Sequence, residues 1–498
     1  MYRKEIKKII KKQLKDKYPH WRNINGKKKK SIARKVLDEV VKGYDFDKTI
    51  QTPIEELLGI EEQVPTASIM TIEEMARYIK AYQNSRLLKL NKKQHAIFRE
   101  EEELILIDDL LDDQIINQLL SYRGYTPSMR DFFPCQFLRA ELLKAIKYPE
   151  ISYRKYCSKE YMGMHQKLNR LFIGLPLNRN LQINHVQLSQ FRASLTFSQM
   201  ANLTVYILYH FFKSGLMGDS IIHAIDSTEL PIDQSRLLAS LDINGQKIRI
   251  YEDIDCDCGK RRNKRDKSPY VIGYRLHTLT VINAKTGHSY PLVSILAPAN
   301  HHDSMLLAPL VKLGKAIGID IKLITADEAY TDSDGSFFKE TGVHLVTPPK
   351  ANVVSLPENV DSITKTITCN DICNIPMKHM GFEEGYHEYK CGAQPGECIF
   401  AYKCPQFRQI PLDGGHFQQI PFDTEHVVKV IEIRKNAERQ FNLMKKREGL
   451  EITRVRSQHN LLARCTFTTM TTLLLEIAGT RRKNKAVKKN KQLALFAA

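Results

Sequence analysis

The stretch YVIGYRLHTLTVINAKTGHSYPLVSILAP, residues 270–298, carries the clearest fold signal in this chain. Valine, isoleucine, leucine, threonine and tyrosine dominate two runs, 270–283 and 289–298. Runs of this composition, bounded by turn-forming residues, are typical of β-strands. The connection AKTGH, residues 284–288, is short and rich in turn formers. The stretch therefore predicts a β-hairpin.

Two further strands flank the hairpin, and both end on an aspartate. IIHAID (221–226) precedes the hairpin and ends on Asp226, and IKLITAD (321–327) follows it and ends on Asp327. Short apolar runs of this length are consistent with buried strands. A buried carboxylate is costly unless it is paired or binds a cation. The two aspartates are therefore candidate site residues.

The remaining predicted helices and strands complete the order of elements along the chain. A helix is predicted at 303–318, beginning at the cap-competent Asp303. A short helix that ends at Gly342 follows, and VHLVTPP (343–349) predicts a fifth strand. Three strands, a helix, a strand, a helix and a strand form the order of an α/β RNase H-like core with a mixed five-stranded sheet.

That strand order predicts a metal site. The first and fourth strands are neighbours in it, so Asp226 and Asp327 would meet at one edge of the sheet. Adjacent carboxylates repel unless a cation lies between them, and Mg²⁺ or Mn²⁺ suits oxygen ligands. Two ions about 3.5–4 Å apart would serve an in-line phosphoryl displacement. Glu328 competes with Asp327 as ligand, although adjacent strand residues point to opposite faces. Turn capping is the structural alternative for both aspartates.

The helix predicted at 424–451 offers the third carboxylate. Its candidates are Glu425, Glu432, Glu438, Glu448 and Glu451. Arg434, Glu438, Phe441 and Lys445 follow one another at helical spacing, on one face of about three turns. A carboxylate between cations suits a metal ligand flanked by contacts to a DNA backbone. The alternative is a solvated helix with an Arg434–Glu438 ion pair.

The charge distribution indicates a polyanionic partner. The formal net charge is +19, and the basic residues crowd into the first 48 residues and into RRKNKAVKKNK at 481–491. Basic ends on a nearly balanced middle suggest arms that contact phosphate. The alternative is that they only aid solubility. The first residues lack the continuous apolar run of a secretory signal, and no run of about 20 apolar residues predicts a membrane helix.

The amino-terminal third is predicted to be helical. Thr71 and Glu74 have the spacing of a capping box before TIEEMARYIKAY, and a second helical region covers 183–215.

Two segments remain open to alternative interpretations. The loop CDCGKRRNKRDKSP (256–269) is basic, and its phosphate contacts would be Arg261, Arg262, Lys264 and Arg265. A merely solvated loop is the alternative. The insertion 351–425 contains the cysteine cluster Cys369, Cys373, Cys391, Cys398 and Cys404. These residues suit either a structural zinc site or reduced, partly buried thiols.

Taken together, the motifs resemble those of the DDE transposases of bacterial insertion sequences. IRKNAERQFNLMKK matches the Y-x2-R-x3-E-x6-K pattern at Arg434, Glu438 and Lys445, with Ile431 in place of the tyrosine. AIDSTEL resembles the first-aspartate motif, and TADEAYTDSDG resembles the second, with Ala329 in place of the usual glycine. The resemblance covers roughly residues 180 to 480.

This resemblance implies both a reaction and partners. Asp226, Asp327 and Glu438 would be the metal ligands for hydrolysis at transposon ends and for attack of the freed 3′ hydroxyl on target DNA. The implied partners are the terminal inverted repeats, target DNA and further copies of the chain in a dimeric or higher synaptic complex. The implied location is the bacterial cytoplasm, at the nucleoid. The rivals are a nuclease of the same fold without strand transfer and a domesticated, inactive DNA-binding protein.

The chain is thus expected to have six segments. They are a helical, basic DNA-binding region (1–150), a helical linker (151–219), the first part of the RNase H-like core (220–350), a cysteine-rich insertion (351–425), the catalytic and C-terminal helices of the core (426–480) and a basic tail (481–498).

Overall fold

The computed structural model describes most of the chain beyond residue 68. The described residues are 15, 26, 28–30, 32, 33, 35, 69–80, 85–120, 131–232, 236–243, 246–260, 269–330, 336–348, 367–369, 375–383, 386–394, 397–398, 407–411, 425–450 and 455–496.

Helices fill the described chain from residue 69 to the first strand. They are α1 (Ile72–Lys80), α2 (Lys92–Phe98), α3 (Glu102–Asp108), α4 (Asp113–Leu119), α5 (Pro134–Lys147), α6 (Tyr153–Tyr156), α7 (Lys159–Met162), α8 (Lys167–Ile173), α9 (His185–Ser194) and α10 (Phe197–Lys213). The predicted capping box is confirmed: Thr71 Oγ1 accepts from the Glu74 amide at 3.1 Å, and Glu74 Oε2 accepts from the Thr71 amide at 2.7 Å. The helical region predicted over 183–215 is two helices, because Thr196 caps a new one by accepting from the Gln199 amide.

A six-stranded mixed sheet follows. Its strands are β1 (Ile221–Pro231), β4 (Asp257–Lys260), β5 (Tyr270–Asn283), β6 (Ser289–Pro298), β7 (Leu323–Thr325) and β8 (His344–Val346), and a separate two-stranded sheet is formed by β2 (Leu237–Ile243) and β3 (Gln246–Tyr251). The order is β4-β5-β1-β7-β8, and β6 also pairs with β5. The neighbours β1 and β5 are antiparallel, as are β5 and β6, whereas β1 with β7 and β7 with β8 are parallel.

Several strand predictions are confirmed. The hairpin has strands at 270–283 and 289–298, the bounds expected from composition. The first and fourth predicted strands, β1 and β7, lie side by side. The short helix before Gly342 is α12 (Ser336–Thr341), and β8 is the predicted fifth strand.

Other predictions were wrong in detail. β1 does not end on Asp226 but continues to Pro231, because the long β5 supplies a pairing partner along its whole length. The β2–β3 hairpin and β4 lie in the segment that was expected to be only an excursion. Asp303 is not an N-cap: it is buried in a 3₁₀ turn (Asp303–Leu306), and His302 caps that turn instead. The helix proper is α11 (Leu307–Ala316).

The carboxy-terminal half of the structure closes the core. Its helices are α13 (Glu425–Arg434), α14 (Glu438–Asn442) and α15 (Gln458–Phe496). α15 packs against β6 and against α3, α5, α9 and α10, with the Phe467 ring stacked on Phe191 at 6.0 Å between centroids. This helix joins the amino-terminal helices to the sheet. It also continues through the segment expected to be a separate basic tail.

Among the described residues, one helical stretch, Gln458–Lys483, is long and apolar enough to cross a membrane by length and composition. Within the protein, 89% of its most apolar window is buried, as for the core helix of a folded domain.

The insertion contains a small sheet of its own. Its described strands are β9 (Met377–Glu383), β10 (Tyr386–Cys391) and β11 (Phe407–Pro411), paired antiparallel in the order β11-β10-β9. The sequence was not periodic enough to predict these strands. Met377 and Tyr389 form a separate small core with Ile367.

Candidate functional site

Asp226 lies in the middle of β1, just beyond the point where pairing with β7 stops. The last parallel pair is Ala224 with Thr325, whereas antiparallel pairing with β5 continues past Asp226, which faces Thr278. The Ser227 amide donates to Asp226 Oδ1 at 2.8 Å. A backbone amide therefore orients this carboxylate, at the point along β1 where the neighbouring strand β7 has ended.

Asp327 lies two residues beyond the end of β7 and begins a turn. Its Oδ1 accepts from the Ala329 amide at 2.8 Å, and its carbonyl oxygen accepts from the Tyr330 amide at 3.1 Å. An aspartate side chain that bonds the backbone two residues on is the usual local reason for such a turn. Glu328 is exposed within the same turn, outside the strand. Strand alternation therefore does not decide between Asp327 and Glu328, and the choice of Asp327 remains a prediction.

Glu438 begins α14 and is exposed beside the sheet. A 3₁₀ turn, Lys435–Ala437, precedes it, and its Ala437 packs on Ala224 and Ile282. Two residues after Glu438, the buried Gln440 donates from Nε2 to Thr280 Oγ1 on β5. The small Ala437 and the Gln440 contact therefore hold this helix close to the strand that carries Asp226.

The helix around Glu438 is not the uniform helix that was predicted. α13 ends at Arg434, the 3₁₀ turn follows, and a π-helical segment, Leu443–Arg447, follows α14. The tighter 3₁₀ and wider π turns break the 3.6-residue spacing, so the residues that were expected to share one helix face are not aligned on it. Glu438 is exposed, whereas Phe441 is buried.

Charge interactions link the three predicted ligands. The pKa of Asp226 is raised to about 7, chiefly by burial; the Ser227 amide and Arg434 oppose this rise, and the charges of Asp327 and Glu438 contribute to it. Arg434 Nη1 lies 4.0 Å from Asp226 Oδ2. Asp327 and Glu438, from distant parts of the chain, thus both lie within electrostatic reach of Asp226, with the guanidinium of Arg434 beside it.

The donor chemistry of these residues fits a hard divalent cation. All three offer carboxylate oxygens, the ligands that Mg²⁺ and Mn²⁺ prefer. Backbone amides orient two of the carboxylates, at Asp226 and Asp327. Within the described ranges, however, no three His, Cys, Asp or Glu side chains are close enough to hold one ion as they stand. The carboxylates would have to approach one another on binding.

The predicted DNA contacts are only partly described. Arg434 is next to Asp226, with 15% of its side chain exposed. Lys445 lies in the π-helical segment and is half-buried. Arg261, Arg262, Lys264 and Arg265 lie outside the described residues.

The cysteine cluster is also only partly described. Cys369, Cys391 and Cys398 are half-buried, whereas Cys373 and Cys404 lie outside the described residues. The choice between zinc and reduced thiols therefore remains a prediction.

Polar residues on the reverse side of the sheet were missed by the sequence interpretation. Ser227, His277 and Tyr330 lie together behind Asp226, and Arg275 binds Asp303 beside them, with Nη1 3.0 Å from Oδ1. Two features of the sequence could have indicated this group of residues: a histidine inside an apolar strand and a tyrosine three residues after Asp327.

Comparison with known proteins supplies the family context. A family model for the transposase DDE domain matches residues 218–474, just over half of the chain. The match begins just before β1 and ends within α15. Among solved structures, a chain in the cryo-EM structure of a piggyBac transposase synaptic complex with hairpin DNA is 11% identical over 79% of this chain and 81% of that chain, with a TM-score of 0.29. That TM-score is too low to establish a shared fold. No curated protein matches.

Proposed function

Because this chain belongs to the transposase DDE domain family, we propose that it is a DNA transposase that cleaves the ends of a mobile element and joins them to target DNA. The observation that supports the proposal is that the charges of Asp327, in a turn, and of Glu438, on a helix, both act on Asp226 in a strand. Residues so far apart in sequence have no local structural reason to lie near one another.

We further propose that the core is RNase H-like and that the chain belongs to the insertion-sequence group with the Y-x2-R-x3-E-x6-K motif. The strand order β6-β5-β1-β7-β8, with three antiparallel and two parallel strands, supports the first proposal. The spacing of Arg434, Glu438 and Lys445 supports the second.

In this proposal the three carboxylates have one task and the basic side chains have another. Asp226, Asp327 and Glu438 would hold one or two divalent ions, which supply activation of the attacking oxygen and stabilisation of the leaving oxygen when bound. Asp226 and Asp327 are oriented by the amides of Ser227 and Ala329. The protein thus limits the reorganisation that ligand binding requires.

Arg434 and Lys445 would bind the DNA backbone at the site, and the basic loop at 261–265 would add phosphate contacts. The guanidinium of Arg434 lies 4.0 Å from Asp226, so it could bind a phosphodiester brought to the carboxylates. The high net positive charge of +19 favours DNA in general.

The proposed assembly follows from the reaction. Residues 1–150 would bind the terminal repeats, and two or more chains would bring two ends together in a synaptic complex at the bacterial nucleoid. The segments 220–350 and 426–480 would form the catalytic core around the insertion 351–425.

The test is cleavage and strand transfer by the purified full-length chain. The substrates are DNA fragments that span the flanks of its gene, with Mg²⁺ or Mn²⁺. We expect Asp327→Asn to lower cleavage by at least about 100-fold, because the loss of a direct metal ligand should reduce activity at least as much as the loss of a group that only orients a ligand. Asp320→Asn is the matched control, since Asp320 is an exposed carboxylate at the opposite end of β7.

The outcomes separate the rivals. Equal cleavage by wild type and Asp327→Asn would remove the proposed site. Cleavage without joining of a pre-cut end that carries a free 3′ hydroxyl would indicate a nuclease. Binding of the terminal repeats without any cleavage would indicate a domesticated DNA-binding protein.

A further inference from the structure

A buried polar network lies on the face of the sheet opposite Asp226. Tyr330 Oη and His277 Nδ1 are 2.8 Å apart, and the Ser227 side chain also hydrogen-bonds the Tyr330 hydroxyl. His277 is fully buried and Tyr330 is 1% exposed. Ser227 is half-buried. The two fully buried polar side chains need a compensating reason, because burying them costs free energy unless they form hydrogen bonds.

The strand register fixes which side of the sheet the network occupies. Ser227 pairs with His277, and Asp226 pairs with Thr278 in the neighbouring row. Successive side chains of a strand point to opposite faces, so Ser227 and His277 lie behind the face that carries Asp226. The helical segment with Ala437 covers the Asp226 face. The network therefore does not line the candidate active site.

The turn after β7 spans from one face to the other. It begins at Asp327, whose charge acts on Asp226, and ends at Tyr330, whose hydroxyl bonds Ser227 and His277 on the reverse face. The turn is also tied internally, by the hydrogen bond from the Tyr330 amide to the Asp327 carbonyl. A movement of the Tyr330 ring would therefore move Asp327 relative to β1.

The hydrogen-bond directions in the network are determined by the state of His277. Burial, together with the nearby Arg275 and His301, lowers the pKa of His277 to about 3, so the ring is neutral. Its Nε2 has no hydrogen-bond partner among the described residues but lies 4.0 Å from Asp303 Oδ1. The neutral ring carries one proton, and on Nε2 that proton faces the negative Asp303 carboxylate, which is favourable. Nδ1 then has no proton and accepts a hydrogen bond from the Tyr330 hydroxyl. Tyr330 in turn accepts from Ser227.

We propose that Tyr330 is a positioning residue: its hydroxyl, held between Ser227 and His277, fixes the turn against β1 and so sets the separation of the Asp226 and Asp327 carboxylates. The inference rests on the proposed function, because it assigns Tyr330 a task in the same metal site. Because the tyrosine is only 1% exposed, the proposal assigns it no contact with DNA or with the reacting atoms.

The test measures Mn²⁺ binding by the full-length protein without DNA, from the electron paramagnetic resonance signal of free Mn²⁺. Tyr330→Phe removes only the hydroxyl and should weaken binding about 10- to 100-fold, the usual effect of losing a group that orients a ligand. His277→Leu should weaken binding similarly. His277→Asn, whose amide oxygen can take the place of Nδ1 as acceptor, should retain most of the affinity.

Tyr206→Phe is the matched control. Tyr206 is equally buried, and its hydroxyl also bonds two groups, the Asp112 amide and the Leu110 carbonyl, but it lies in α10 among the amino-terminal helices. A purely structural loss would affect both tyrosine variants alike. Wild-type affinity in Tyr330→Phe, or equal weakening in Tyr206→Phe, would overturn the positioning role.

Asp327→Asn separates this inference from the function itself. If Asp327→Asn abolishes Mn²⁺ binding while Tyr330→Phe binds normally, the positioning role alone is wrong. If Asp327→Asn binds Mn²⁺ as the wild type does, the metal site is wrong and the positioning role falls with it. Normal Mn²⁺ binding by the wild type with no DNA cleavage overturns the reaction but leaves the positioning of the carboxylates supported.

Discussion

Glu448→Gln should stabilise the protein at alkaline pH and have little effect near pH 4. Glu448 is fully buried at the end of the π-helical segment, and the Thr472 hydroxyl of α15 lies 2.9 Å from each of its carboxyl oxygens. That hydroxyl is also 3.0 Å from the Thr468 carbonyl oxygen. A hydroxyl has one proton, so Thr472 donates either to a Glu448 oxygen or to the Thr468 carbonyl. When that proton goes to Thr468, a protonated Glu448 carboxyl can donate to Thr472 in return.

The size of the effect follows from the shifted pKa. Burial raises the pKa of Glu448 to about 8, from 4.5 in an unfolded chain. A carboxyl group with a raised folded-state pKa contributes fully below the unfolded value, and the contribution is lost as the pH rises through the folded value. At about 1.36 kcal/mol per pH unit, the loss approaches about 5 kcal/mol above pH 8. An amide in its place does not titrate and can still donate to Thr472.

Urea denaturation at a series of pH values measures this. The unfolding free energy of Glu448→Gln minus that of the wild type should grow by about 3–4 kcal/mol between pH 5 and pH 8. Glu100→Gln is the control, because Glu100 is exposed and its variant should track the wild type. A difference between Glu448→Gln and wild type that stays constant over this pH range would refute the reasoning.

Two further predictions concern other parts of the chain. Arg139 is 1% exposed and bonds two carboxylates, so Arg139→Met should lower the unfolding free energy by about 3–5 kcal/mol. Arg77→Met, at an exposed ion pair, should change it by under about 0.5 kcal/mol. Urea denaturation measures both variants, and similar losses in the two would contradict this prediction. In the insertion we expect reduced thiols, with under about a tenth of an equivalent of zinc by elemental analysis of the purified protein. About one equivalent, lost in Cys391→Ser, would instead establish a zinc site.

Local patterns were enough to predict the hairpin and the capping box. The strands at 270–283 and 289–298 carry their own composition and turn signals, and Thr71 and Glu74 carry the cap within four residues. The candidate ligands were also predicted from sequence, through the expected strand ends and motif spacing; β1 in fact continues past Asp226, and the ligand roles stay a prediction. These features depend on residues that are close together in the chain, so the sequence expresses them directly.

Tertiary packing decided the rest. β1 runs past Asp226 because β5 is long enough to pair with it, and the helix at Glu438 departs from regular geometry where Ala437 and Gln440 press against the sheet. Sequence spacing cannot express either effect, since each depends on a neighbour more than 40 residues away.

The amino-acid sequence by itself thus determined which side chains are candidates for metal and DNA binding, because residue chemistry and local periodicity are properties of short segments. Only the tertiary structure decided how those side chains are oriented. The bond between Tyr330 and His277 joins residues 53 positions apart, and it exists because the turn after β7 folds back beneath β1 and β5. Contacts of that kind arise from the burial of whole elements against one another, which no local pattern records.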